Sequence, residues 1–328
     1  MPRRQRCGRL HNTRKKLVTQ PPLRMIAHRF GIPMEVLACE PLGRPPVAYG
    51  EVLVRMTATP INPSDLIPVA GAYAARTSLP FVPGYEGTGT IEEVGDNVDP
   101  GLIGRRVLPL GSAGCWQTLK VLPADWCILV PDDVDDDEAA TAYINPLTAL
   151  LMVRRMAPQP GDAVGITAAA SAIGRILIRM IASTRAHAVA IVRSQSAAES
   201  LRCEPAEVVW SDTPMPRLNG AMDAVGGRAG CDLAAAVVPG GQMLHYGLMS
   251  GKPLAGTGAT TAQYFRLRDI VHAISRAQLD ELMSVVFDEI RVGRAAISIA
   301  ARYPLAEIGL ALTHDARVGR SGKILLCP

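Results

Sequence analysis

The run AVGITAAASAIGRILIRMIAS, residues 163–183, decides the fold. AVGITA is short and apolar, as a buried strand is, and the small residues after it open an apolar helix. A strand that turns tightly into a helix leaves the first helical N–H groups unpaired and directs the helix dipole at whatever sits above the turn. That arrangement suits an anion. Downstream, AHAVAIVRS, EVVWSD, AMDAVGG and GGQMLHYGLMSG each read as a further strand. Strands alternating with helical stretches mean βαβ units and a parallel sheet. The segment RDIVHAISRAQLDELMSVVF, residues 268–287, reads as one helix with an apolar stripe.

Upstream the texture differs. Between Met25 and Pro131, EVLVRMTATP, GTGTIEEVGDNV, GRRVLPL and CWQTLKVLPADWCILVP read as short strands punctuated by Gly and Pro. Such spacing suggests a barrel or sandwich. DDVDDDEAATAYINPLTALLMVRRM opens with acids that favour a helix N-terminus and continues as a helix. From Ile297 onward, AISIAARYPL, a short helix and GKILLCP return to strands. The expected fold class is therefore α/β, a β-rich domain interrupted by an inserted parallel-sheet α/β domain. Its expected divisions are a basic extension over 1–24, the β-rich first part over 25–144, the parallel-sheet domain over 145–290, and the return over 291–328.

Composition narrows the function. The 328 residues are 48% hydrophobic and 20% charged, which fits a folded soluble protein with room for two domains. No uncharged apolar run is long enough for a membrane span. Residues 1–24 hold eight Arg or Lys and no acid, so the rest of the chain keeps 26 basic against 30 acidic side chains. A body with that balance presents no basic face for nucleic acid. The leading segment, Arg-rich but free of serine, reads as a disordered tail or an upstream start. The seven cysteines include no C-x-x-C pair, which argues against a disulfide framework or zinc cluster and for a reducing compartment, read as the cytoplasm.

The turn after the first parallel strand is Ala169-Ala170-Ser171-Ala172-Ile173-Gly174. It stands where a G-x-G-x-x-G fingerprint would hold a pyrophosphate, and only the last glycine remains. Alanine and serine permit close backbone approach if the turn avoids positive φ, and Ser171 could add a hydroxyl to a phosphate. Nineteen residues past Gly174, Arg193 and Ser194 end the next strand. An acid there would bind the ribose 2′-hydroxyl of NAD, whereas arginine attracts a 2′-phosphate, so the cofactor is expected to be NADPH.

With these residues in place, the chain resembles the zinc-free branch of the medium-chain dehydrogenase/reductase superfamily, the enoyl thioester reductases and quinone oxidoreductases. The likeness runs from Met25 to Pro328 through INPSD (61–65), GAY (71–73), PGYEGTGTIEEVG (83–95), NPLTA (145–149), TAAASAIG (167–174), DAVGG (223–227), YGLMSG (246–251) and SGKILLCP (321–328). It implies a catalytic domain of the GroES-like type interrupted by a Rossmann-type domain. Zinc-binding relatives place ligands where this chain has Asn62 or Pro63, Tyr85 and Asn145, residues that do not make a tetrahedral zinc site, so no metal is expected.

The branch further implies that the tyrosine of N-P-S-D-x-x-x-x-x-G-x-Y, here Tyr73, donates a proton. A phenol is protonated at neutral pH and can give its proton to a developing enolate. Hydride from NADPH would add at Cβ of an α,β-unsaturated carbonyl and Tyr73 would protonate Cα. Asn62 would position the tyrosine or the substrate carbonyl, or else simply start a turn. By resemblance Asn145 and Thr148 lie on the nicotinamide side, although Asn145 could instead cap the helix. Tyr246, Gly247, Leu248 and Met249 follow a sheet strand at the cofactor edge. Phe265 and Leu267 resemble positions on the loop beside nicotinamide, and Lys323 resembles a position near the cofactor. Homodimers are common in the branch.

Two departures qualify the likeness. SDTPMPRLNGAMDAVGG leaves only about ten residues, two of them proline, before the DAVGG strand, too few for a helical crossover. The stretch around FRLRD also lacks the tryptophan that enoyl reductases often carry there, which counts against long acyl chains. Expected partners are thus small molecules, an enoyl thioester or, alternatively, a quinone. A nucleotide-binding sensor without turnover is the reading from a different class.

Overall fold

The structure, a computed structural model, describes residues 21–255 and 262–328. Most of the basic extension therefore lies outside the described residues. The first part comprises β1 (Leu23–Ala27), α1 (Pro33–Val36), β2 (Leu37–Pro41), β3 (Glu51–Pro60), α2 (Pro63–Val69), β4 (Thr88–Val94), β5 (Arg106–Pro109), β6 (Leu119–Pro123) and β7 (Cys127–Leu129). β1 takes in Leu23 and Arg24, which were expected to precede the domain. Two helices follow, α3 (Asp136–Ala140) and α4 (Ile144–Met156). The middle runs β8 (Ala163–Ile166), α5 (Ala172–Ser183), β9 (His187–Val192), α6 (Gln195–Ser200), β10 (Ala206–Trp210), β11 (Leu218–Asp223), α7 (Gly227–Ala236), β12 (Val237–His245), β13 (Ala262–Tyr264), α8 (Leu267–Val271) and α9 (Arg276–Arg291). The chain ends with β14 (Ile299–Pro304), α10 (Ile308–Asp315) and β15 (Lys323–Cys327).

The middle strands form a six-stranded sheet in the order β10-β9-β8-β11-β12-β13, with every neighbouring pair parallel. The order reverses between β8 and β11, and in open α/β sheets ligands bind at such a switch point, beyond the carboxyl ends of the strands. The central strands read as unbroken apolar runs because helices cover both faces. On α5, Ile176, Leu177, Ile178 and Ile181 are all fully buried. Each such side chain contributes roughly 1.5–3 kcal/mol relative to exposure, so this helix is fixed by packing.

The second sheet has seven strands. Its path is β14-β15-β3-β4-β5-β7, with β6 also paired to β3. β15 lies antiparallel on β3, Leu325 opposite Pro60. The last residues of the chain thereby complete the sheet begun near residue 51, and the parallel sheet is an insertion within it. The α/β class read from the sequence is the class found.

Two helices expected to be continuous are broken. Asp135 and Glu138 form a capping box that starts α3, and Ile144 N–H is taken at 2.6 Å by Glu86, which starts α4 afresh. Likewise Ser275 and Gln278 form the capping box that opens α9, separating it from α8. The short connection between β10 and β11 is a loop, as its length required. Helix α7 was not singled out in GRAGCDLAAA, a short run that opens on glycine, a poor helix former.

Candidate active site

The base of the site is a buried polar network. Asn62 caps α2 and is fully enclosed. Its Nδ2 donates to Glu86 Oε1 at 2.7 Å, and its Oδ1 accepts from Lys323 Nζ. Lys323 Nζ donates also to the Ile61 carbonyl at 3.1 Å. Glu86 uses its other oxygen on Ile144 N–H, so a buried carboxylate faces the positive end of α4. Asp65, completely buried, accepts from Asn62 N–H at 2.8 Å and from Tyr85 N–H at 3.0 Å. Burial pushes the Asp65 carboxyl up to about 7 and the Glu86 carboxyl up, and it pulls the Lys323 ammonium down. The INPSD, PGYEG, NPLTA and SGKILL runs are thus joined through their polar atoms.

Above the network lies a cleft of about 410 Å³, lined among others by Ser64, Tyr73, Tyr85, Tyr143, Arg268 and His272. Tyr73 is 43% exposed at the start of the helical turn 74–76, and the Arg76 guanidinium sits 4.7 Å from the centre of its ring. Tyr85 is half-buried and Tyr143 nearly enclosed; desolvation raises both phenols further above neutrality. Ser64 brings a buried Oγ with no hydrogen-bond partner among the described residues. Arg266 and Arg268 lie on the far wall, and burial together with the charges of Arg268 and Arg276 lowers the His272 pKa. The cleft lining carries three arginines, Arg76, Arg266 and Arg268, and is rich in neutral O–H donors.

Of the residues read as cofactor contacts, Ser171 to Gly174, Arg193, Ser194 and Tyr246 to Met249 follow the carboxyl ends of strands of the parallel sheet. Ala168 takes φ +49°, so the positive φ falls just before the small-residue run, which itself avoids it. A Cβ on Gly174 would meet the Ala169 carbonyl at 2.5 Å, and this is why glycine alone persists there. Ser171 is the N-cap of α5 and its Oγ accepts from Gly174 N–H at 3.1 Å. The N–H groups of Ala172 and Ile173, in the first turn of α5, have no intrahelical partner. Arg193 is exposed after β9 and makes no ion pair with a described residue, while Ser194 caps α6. After β12, Tyr246 carries a buried phenol with no hydrogen-bond partner among the described residues, and a Cβ on Gly247 would meet the Ala224 carbonyl at 2.7 Å. Leu248 and Met249 are exposed. These donors, the glycine-only approach and the unpaired arginine fit an extended anionic dinucleotide with a 2′-phosphate.

Some placements differ from expectation. Asn62 does not line the cleft, because Glu86 and Lys323 take both ends of its amide. Lys323 is buried beneath the cleft with it. Asn145 does not cap α4; Tyr143 holds that position and Asn145 sits inside the first turn, buried and without a hydrogen bond from its side chain to any described residue. Thr148 is buried one turn on. Phe265 packs into the core, with its N–H on the His245 carbonyl at 2.9 Å, and only Leu267 of that pair lines the cleft. The sequence reading missed Glu86, Asp65 and Tyr143. It also missed a buried couple at the switch point, where Asp223 binds His245 Nδ1 at 2.7 Å and Thr167 Oγ1 at 2.7 Å.

Comparison with known proteins agrees with this architecture. The model of the alcohol dehydrogenase GroES-like domain matches residues 48–132. The mitochondrial enoyl-[acyl-carrier-protein] reductase of Homo sapiens is 30% identical, aligned over 92% of this chain and 87% of its own length. The protein of the same description from Arabidopsis thaliana is 32% identical over 76% and 71% of the two chains. A solved structure from Bacillus thuringiensis, described as a "putative NADPH:quinone reductase", superposes with a TM-score of 0.89 at 33% identity, covering 94% of this chain and 99% of that one.

Proposed function

Because the chain belongs to the enoyl thioester reductase and quinone oxidoreductase branch of the medium-chain dehydrogenase/reductase superfamily, we propose that it is an NADPH-dependent reductase of the C=C bond of an α,β-unsaturated carbonyl, a 2-enoyl thioester. The observation that carries this reading is Tyr73, the tyrosine of N-P-S-D-x-x-x-x-x-G-x-Y, standing in the cleft. NADPH, when bound, supplies hydride to Cβ. The chain's own part is to hold and protonate. Ser171, Ala172, Ile173 and Gly174 would cradle the pyrophosphate, Arg193 and Ser194 the 2′-phosphate. Tyr246 to Met249, Asn145, Thr148 and Leu267 would border the nicotinamide half. Tyr73 would deliver its proton to Cα, with the Arg76 guanidinium 4.7 Å from the centre of its ring. Asn62 and Lys323 act here as positioning residues beneath the cleft.

Quinone reduction is the second reading, favoured by the likeness to the Bacillus thuringiensis protein. The two separate in one assay. NADPH consumption with crotonyl thioester supports the enoyl reductase, consumption with benzoquinone alone supports the quinone reductase, and binding without consumption leaves a sensor. A third expected outcome concerns selectivity. Arg193→Ala should weaken NADPH by on the order of 10-fold or more, the size of a lost charge-assisted contact, and leave NADH unchanged in equilibrium titrations. Equal losses for both would remove Arg193 from the 2′-phosphate site.

No helix among the described residues is long and apolar enough to cross a membrane. Cytoplasm is the compartment we propose, on the unpaired cysteines. The relatives are named mitochondrial, and a reporter fused to residues 1–24 decides between the two.

A further inference from the structure

The enoyl reductase reading leaves the best-anchored group in the cleft without a task. Tyr85 follows Gly84, whose φ is +92° and whose missing Cβ would meet the Trp116 ring at 2.4 Å. It precedes Glu86, which is buried and bound to both Asn62 and Ile144 N–H. Its own N–H is held by Asp65 at 3.0 Å. The backbone is therefore fixed before, at and after this residue, and the half-buried side chain enters the cleft. There its O–H makes no hydrogen bond with a described residue. Burial first, then the Asp65 charge, keeps the phenol protonated. A donor that is rigid, partly desolvated and slow to ionise is suited to holding a charged oxygen and poorly suited to giving up its proton.

Tyr73 has the opposite character. It stands 43% exposed on a short turn, with the Arg76 guanidinium 4.7 Å from the centre of its ring, and water can reload it. Both tyrosines line the same cleft.

Resting on the proposed reduction, we propose that Tyr85 is a further catalytic residue, the donor that binds the substrate carbonyl oxygen. When Cβ has accepted hydride, the C=C electron pair moves to the Cα–carbonyl bond and the carbonyl pair moves onto oxygen. Tyr85 hydrogen-bonds that oxyanion and retains its proton. As the oxyanion collapses back to a carbonyl, Cα takes the proton of Tyr73, and the Tyr73 phenolate recovers one from solvent.

The test is Tyr85→Phe, which removes one oxygen and none of the backbone anchors. The expected result is a kcat with crotonyl thioester lower by about 10²-fold, the usual size for one oxyanion donor. KM and NADPH affinity, read by fluorescence titration, should stay within a few-fold. The primary isotope effect from deuterated NADPH should rise in this variant, because building charge on oxygen becomes the slow step. In Tyr73→Phe the solvent isotope effect should rise instead. Unchanged kcat overturns the role, and so does a fall that merely tracks lost NADPH binding or a lowered Tm. A wild-type enzyme silent with thioesters overturns the underlying reading before any variant is made, so the two failures are distinct.

Discussion

Tyr73→Phe should reduce turnover of crotonyl thioester by roughly 10²-fold or more, the scale of a general-acid contribution, while NADPH binds as before. The change removes only the hydroxyl. The ring stays, and with it the cation–π contact to Arg76 at 4.7 Å, so the turn 74–76 keeps its packing. What is lost is the proton for Cα, leaving that step to water in an exposed mouth. Steady-state kinetics with thioester, alongside a cofactor titration, check it. Turnover unchanged within a few-fold would take the proton away from Tyr73 and shift the balance to quinone reduction, in which protons can reach exposed oxygens from solvent.

Lys323→Met should cost about 3 kcal/mol or more of stability, because it removes the cation from a buried set that holds two carboxylates. Lys323 Nζ is bound to Ile61 O and Asn62 Oδ1, and its charge lowers the pKa of both Glu86 and Asp65. Methionine keeps the length of the stem, so packing in β15 is largely preserved and the loss is electrostatic. The expected shift in Tm is a fall on the order of 5 °C. Its pH dependence has a definite sign. Without the ammonium, the Asp65 and Glu86 pKa values rise further above their unfolded values, so the variant's deficit grows as pH rises through 7 and shrinks below it. A deficit independent of pH would mean that shape alone, and no charge coupling, is at stake.

The fold was legible because its signals are local. Strand, small-residue turn and apolar helix at 163–183, repeated downstream, specify a parallel sheet, and the return of β texture after Ile297 specifies an insertion. Arg193 could be proposed by counting from Gly174. The network beneath the cleft could not. Lys323 and Asn62 are 261 positions apart, and no period or spacing joins them. Glu86, one acid between two glycines, looks like a solvated loop charge until the fold encloses it. Tyr85 was legible only as the loss of a metal ligand. Its value as a donor depends on the Asp65 contact and on what else lines the cleft, both products of tertiary structure. One of the two broken helices has the same cause, since α4 begins where Glu86, brought from a distant loop, meets Ile144; the other is opened by the local capping box of Ser275 and Gln278.

The experiment to make first follows the atoms. Crotonyl thioester is reduced with NADPH carrying deuterium at the transferable position, in ordinary water, and again with unlabelled NADPH in deuterated water. The account requires the saturated thioester to carry cofactor deuterium at Cβ in the first case and solvent deuterium at Cα in the second. An unlabelled, unreduced thioester, beside rapid NADPH oxidation by benzoquinone, would contradict it.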